Sequence, residues 1–281
     1  MKGDTGFPVR VRFTKRGKVR FISHRDVARA FERAFRIEAL PLAFTLGFSP
    51  RPKVSFGLAL SVGHESVAEY LDVELREPLD ADALPDRLSD ALPEGIDVTG
   101  AARLIDRAPA LQEAVTLVAY RITVSDADDR IVGTDLLGPA VEVARTSSTL
   151  PVTRTRKGRE STDDIRPAIR TIELAVDHDG SPALELTLST QSRGARPREV
   201  LDALSGHGIV LTERRVLRTA QWIERDGARL EPLEADVLAR APEARAHTRE
   251  GTNVRRHDAG SRAGFQLHRR AERVTNQWRA P

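Results

Sequence analysis

Val9, Val11 and Phe13 alternate with Arg10 and Arg12, a period of two that predicts a half-buried strand. Lys15-Arg16-Gly17-Lys18 reads as a turn, and Ser23-His24-Arg25-Asp26 fits a capping box in which a hydroxyl and a carboxylate each satisfy an orphan amide. The helix it opens should run to about Ala39. Val27, Ala30, Phe31, Ala34 and Phe35 share one apolar stripe, Arg25, Arg29, Arg33 and Arg36 follow the opposite face, and Pro41 ends the element. A loop with two prolines and a glycine spans 45–53. Two further alternating strands follow, around Val54–Leu60 and Leu71–Leu75. A helix carries Leu84, Leu88 and Leu92, and a last strand Ile96, Val98 and Leu104.

The order β-α-β-β-α-β is the ferredoxin-like arrangement, and a second pass begins at Pro109. It has a strand at Val118–Val124, a helix around Leu136–Val143 with Pro139 in its first turn, and a short arm at 152–157. Strands at Ile172–Val176 and Leu184–Leu188, a helix opened by Pro197 and a final strand at 209–217 complete it. The expected fold is therefore α+β, with two ferredoxin-like domains at 1–108 and 109–224. Residues 225–281 are expected to form an Arg-rich, largely disordered tail, because hydrophobic density falls after Glu224. The length of 281 residues suits two domains.

Charge sharpens this picture. The net charge is +3, yet residues 8–57 carry twelve Lys or Arg against three Asp or Glu, and residues 58–244 carry 22 against 34. A cationic segment on an acidic body predicts a localised anionic partner. Arg20, Arg29, Arg33 and Arg36, with Arg51 and Lys53 on the loop, form the expected phosphate-binding set, since guanidinium forks donate paired hydrogen bonds to phosphate. Phe48 or Phe44 would supply a stacking surface for an unpaired base; the alternative puts both in the core. His24 is the candidate general acid or base, oriented by Asp26; the bland alternative is a structural histidine. His64-Glu65 has no second histidine at ligand spacing. The tail pairs Arg255-Arg256 and Arg269-Arg270 could also bind RNA or an acidic partner.

The chain has no cysteine. That excludes thiolate zinc sites, a cysteine nucleophile and cysteine-ligated iron–sulfur clusters, and it suits a cytoplasmic location. No phosphate loop, dinucleotide fingerprint or G-x-S-x-G elbow occurs, so no cofactor is expected. No run approaches the ~18 apolar residues of a membrane span.

Arg20-Phe21-Ile22-Ser23-His24-Arg25-Asp26, then Arg29, Arg33, Leu40-Pro41 and Gly47-Phe48-Ser49-Pro50-Arg51-Pro52-Lys53, resembles the radical-SAM-linked protein family. Ser55-Phe56, Leu60, Gly63, Ser66, Glu69-Tyr70 and Asp72 continue the match, which covers roughly 8–220. The family pattern usually has Leu where Arg25 stands and often a second Arg where Ile37 stands. That domain occurs fused to, or encoded beside, cobalamin-binding-type radical SAM proteins. The resemblance implies a radical SAM enzyme as partner, and genomic contexts shared with ribonucleases of the E/G type imply RNA as the molecule handled. Three functions fit. The first is an accessory protein that binds RNA or another polyanion and presents it to an enzyme. The second is an RNA-processing or RNA-modifying enzyme using His24. The third is a protein–protein scaffold.

Overall fold

A computed structural model describes residues 6–105, 108–156, 158–191, 194–205 and 210–237. Contacts divide the chain into Met1–Ala239 and Arg240–Pro281. Every described residue belongs to the first unit; the tail arginine pairs lie outside the described residues.

The α+β class holds, with a large mixed sheet and few helices. The first half runs β1 (Phe7–Lys15), α1 (His24–Ile37), β2 (Val54–Phe56), β3 (Glu65–Leu75), α2 (Leu84–Ala91) and β4 (Val98–Arg103). β1 pairs antiparallel with both β4 and β3, and β2 pairs antiparallel with β3, giving the order β4-β1-β3-β2. A short α3 (Leu111–Ala114) leads into β5 (Leu117–Ser125), α4 (Thr134–Thr146), the hairpin β6 (Pro151–Arg156)–β7 (Arg159–Asp164), β8 (Ile169–Val176), β9 (Pro182–Ser189), α5 (Pro197–Leu204) and β10 (Thr212–Arg225). The order of these main strands is β10-β5-β9-β8. β6 and β7 form a separate two-stranded sheet.

One sheet passes through both halves. β10 lies parallel to β3 through Leu217–Glu65 and Arg218–Ser66, so the two strand sets are edge to edge. Pro139 falls in the second turn of α4 rather than the first. In the first half the alternation works as expected on one face. Val9, Val11, Phe13, Leu71 and Val73 pack with Val27, Phe31 and Phe35 of α1 and Leu84 and Leu88 of α2.

The other face corrects two expectations. Arg10 and Arg12 do not belong to an open cationic surface. Arg10 is fully buried, binds Asp72 through Nε (2.7 Å) and Nη2 (2.9 Å), and donates to the Pro232 carbonyl at 3.2 Å. Arg12 is half-buried, 3.6 Å from Glu231, and donates to the Val67 carbonyl at 3.3 Å. The cover comes from the segment placed in the tail. β11 (Ala228–Leu230) folds back on β10, and the chain then crosses to bridge Leu104 with Val237. Arg225 and Asp236 pair through two bonds of 2.9 and 3.0 Å, which pins this strap. The described residues therefore continue this sheet and its cover to Val237. No described helix is long and apolar enough to cross a membrane.

Candidate nucleic-acid interface

Ser23 caps α1 as its sequence requires. Its hydroxyl accepts from the Asp26 amide at 3.3 Å, and the Asp26 carboxylate accepts from the Ser23 hydroxyl (2.6 Å) and amide (3.3 Å). Arg29 reaches the same carboxylate at 3.3 Å. The Ser23 hydroxyl bond, then the Ser23 amide bond, hold the Asp26 carboxyl below the usual carboxylate range. Asp26 thus closes the helix end, and no hydrogen bond joins it to His24 among the described residues.

His24 is exposed, as the first residue of α1, with its ring edge-on to Phe56 at 5.1 Å and 81°. It lines a cavity of ≈ 20 Å³ with Lys15, Phe56, Glu69 and Tyr70, room for about one water molecule. The Lys15 ammonium is buried there and donates to the carbonyls of Arg20 (3.2 Å) and Ile22 (3.1 Å). Burial pushes its pKa below the lysine value, against the pull of Glu69. The exposed histidine therefore borders a small, mostly apolar cavity into which Lys15 and Glu69 bring charge, and the lysine fixes the segment that precedes the helix.

Down the outer face of α1, Arg25, Arg29, Arg33 and Arg36 are all exposed. They rise about one per helical turn of ~5.4 Å. Among the described residues, Arg25, Arg33 and Arg36 make no ion pair. This is the part of the expected basic surface that the structure assembles.

The helix ends in a Schellman motif. Ala39 takes φ 48° and donates to the Arg36 carbonyl at 3.2 Å, and Leu40 donates to that of Phe35 at 3.0 Å. The chain then forms a finger rather than a plain loop. Ala43 and Lys53 pair beside Glu74, Phe44 faces Pro52, and Thr45 donates to the Arg51 carbonyl at 2.9 Å while its hydroxyl accepts the Arg51 amide at 3.0 Å. The tip, 46–50, includes Gly47 at φ 128°. Leu46 and Phe48 stand there wholly exposed, and Phe44 at the base is 46% exposed. Arg51 is exposed and makes no ion pair among the described residues, whereas Lys53 is engaged by Glu74 at 2.9 Å.

His24 and the finger do not share one groove. Lys15, beside His24, pairs with Ser66 at one end of β1, and Pro8 pairs with Glu74, beside the finger base, at the other. Seven residues of strand separate these ends, about 23 Å. The expected constellation is two stations joined by the arginine row: Arg20, His24 and Asp26 at the start of α1, and Arg36, Phe48, Arg51 and Lys53 at its end, with Arg29 and Arg33 between.

Sequence reasoning passed over Phe21. It closes a 3₁₀ turn at Gly17–Phe21 and is 62% exposed, with the Arg20 guanidinium 4.6 Å from its ring centroid. Two signals could have found it: it stands in the Arg20–Asp26 motif that carries the resemblance, and it falls between a turn and a helix cap, outside the apolar stripes of β1 and α1.

A family described as "Uncharacterized protein conserved in bacteria (DUF2344)" matches residues 9–197, more than half of the chain. The chain belongs to that family. The DUF2344 description names neither a reaction nor a radical SAM partner. A comparison with curated proteins returns no match. Among solved structures, this DUF2344 chain is similar to one titled "Crystal Structure of a Cbf5-Nop10-Gar1 Complex", at 10% identity and TM-score 0.42, covering 78% of this chain and 50% of that one. Another, "Structure of H/ACA RNP bound to a substrate RNA containing 2'-deoxyuridine", matches at 10% identity and TM-score 0.37, covering 81% and 54%. The chain thus spans about half the length of the solved chains it matches.

Proposed function

We propose that this DUF2344 protein is an accessory module that binds RNA or another polyanion along α1 and presents it to a partner enzyme. One observation carries the reading. An exposed arginine row, largely free of carboxylate partners, runs along α1 toward a braced finger whose Phe48 and Leu46 are held in solvent. Contiguous exposed apolar surface marks interaction sites, and Leu46 and Phe48 stand two positions apart on one finger tip. Guanidinium groups at helical pitch suit a chain of phosphates.

Two finer points belong to the same proposal. The antiparallel orders β4-β1-β3-β2 and β10-β5-β9-β8 support reading 1–108 and 109–224 as ferredoxin-like units of a shared sheet. The composite motif over 20–75 supports a radical SAM enzyme as the recipient. A second reading, an RNA-processing enzyme with His24 as general acid or base, is favoured by the place of His24 at the cavity mouth. It would need an orienting group other than Asp26.

The test is a salt titration of full-length protein against a labelled RNA. Arg25, Arg29, Arg33, Arg36 and Arg51 should give a log–log slope of about −3.5, at ~0.7 per neutralised phosphate on a single strand. Affinity that holds constant from about 50 to 200 mM salt would overturn the proposal. Capture of a protein by the same surface, unchanged by nuclease, would favour a scaffold.

A further inference from the structure

We infer that the polyanion is a single strand of nucleic acid, held by base stacking at both ends of α1, on Phe21 and on Phe48. This rests on the polyanion reading above and goes beyond it by naming the substrate class and a second stacking contact.

The inference comes from an exposed aromatic beyond each end of the arginine row, the first of them stacked under a guanidinium. At the first end, the Arg20 guanidinium lies 4.6 Å from the Phe21 ring centroid, covering one side while the residue stays 62% exposed. The uncovered side can take a base, extending a cation–ring stack by one layer. The position is braced: Lys15 holds the Arg20 and Ile22 carbonyls on either side of Phe21, and the Gly63 amide donates to the Arg20 carbonyl at 2.8 Å. At the other end, Phe48 is exposed on every side, on a finger fixed by the Ala43–Lys53 and Thr45–Arg51 pairs. The backbone bonds that flank Phe21 and the braced base of the finger that carries Phe48 lower the ordering cost of binding.

A duplex does not offer its base faces to such rings; an unpaired strand does. A run of acidic residues would use the arginines but offers no aromatic face for either ring. The arginine row also sets a minimum length, since both rings lie beyond the ends of α1. The 14 residues of α1 span about 20 Å at 1.5 Å per residue, or about six nucleotides at the ~3.4 Å spacing of a stacked strand. The arginines between would then meet phosphates, with the rings capping the run.

The experiment uses full-length protein and labelled RNA oligonucleotides of two to twelve nucleotides, with an RNA duplex, heparin and poly-glutamate alongside. Affinity should climb through at least about six nucleotides, the length of α1, and then flatten. Phe21→Ser and Phe48→Ser should each weaken binding of an eight-nucleotide strand by about 10-fold or more, the scale of one stacked base, with the salt slope unchanged because stacking releases no counterions. Both side chains face solvent, so thermal unfolding should match the parent. Arg145→Gln, at the far end of α4, is the control and should bind as the parent does. Salt-dependent binding that is indifferent to both phenylalanines, or duplex or poly-glutamate binding as tight as the single strand, would overturn this inference and leave the polyanion reading standing. Absence of salt-dependent binding to any of these probes would overturn both.

Discussion

Arg218 of β10 donates to Glu69 of β3 across the seam between the two halves, Nη1 to Oε1 at 2.8 Å, with both side chains almost fully buried. The same guanidinium donates to the carbonyls of Leu58 (2.9 Å) and Ala59 (3.0 Å) and meets the Tyr120 hydroxyl at 3.4 Å. Only two residue pairs of β10 and β3 are in register, so this side-chain cluster strengthens a short backbone seam. It also holds the 57–63 segment, which lies against the His24 cavity.

Glu69→Ala should therefore be costly. A buried ion pair against an apolar substitute is near neutral, but one member left alone is an uncompensated buried charge, worth about 3–5 kcal/mol. Urea unfolding should show that loss, and Glu69→Leu combined with Arg218→Met should recover a large part of it. A double variant no more stable than Glu69→Ala would mean that Arg218 acts mainly through the 57–63 carbonyls.

Ala39→Gly should stabilise the protein by about 0.5–1 kcal/mol. Ala39 occupies the left-handed position of the Schellman motif at φ 48°, where its Cβ is strained and glycine is the usual occupant. Part of the gain is offset by the greater freedom of glycine in the unfolded chain. A higher urea midpoint with an unchanged slope is the expected result.

What the sequence made legible was local. The capping box at Ser23 and Asp26 and the stripe of Val27, Phe31 and Phe35 depend on residues a few positions apart, and α1 follows from them with its end near the expected Ala39. The alternation of Val9, Val11 and Phe13 located β1 for the same reason. Arg10 defeated the reading because its burial depends on Pro232, 222 positions away; a charge in an alternating strand looks solvated until something distant covers it. Phe48 could equally have been core or surface, since a lone aromatic in a loop has no periodic neighbours to choose for it. The distance between His24 and the finger was within reach of sequence reasoning. A helix of that length places its two ends about 20 Å apart, so His24 and the finger stand at opposite ends of α1.

Tyr70 should make the fold sensitive to alkali. Its hydroxyl is buried and donates to Glu231 on the strap, and burial first, then that bond, raise its pKa well above the phenol value. The sign follows from proton counts. Above about pH 10 the unfolded chain releases the tyrosine proton while the folded chain retains it, so stability is intact below that pH and falls as pH rises past it. Tyr70→Phe removes the linkage, and unfolding free energy measured between about pH 9 and 11 should decline less steeply than in the parent.

Arginines that the sequence counts alike should separate in a salt titration. Arg33 and Arg36 are exposed, without ion pairs among the described residues, and free to release counterions on meeting phosphate. Arg33→Gln and Arg36→Gln should each lower the log–log slope for single-stranded RNA by about 0.7, and the pair by about 1.4, with little change in stability. Arg10 lies in the same one-sided segment but is fully buried against Asp72 and the Pro232 carbonyl. Arg10→Met should leave the slope of the folded protein unchanged and lower its unfolding free energy, because Asp72 and the strap lose their partner. Anisotropy titrations at several salt concentrations, paired with urea melts of the same variants, separate the two behaviours. A slope that drops with Arg10→Met, or stays put with Arg33→Gln and Arg36→Gln, would show that the polyanion lies elsewhere than on α1.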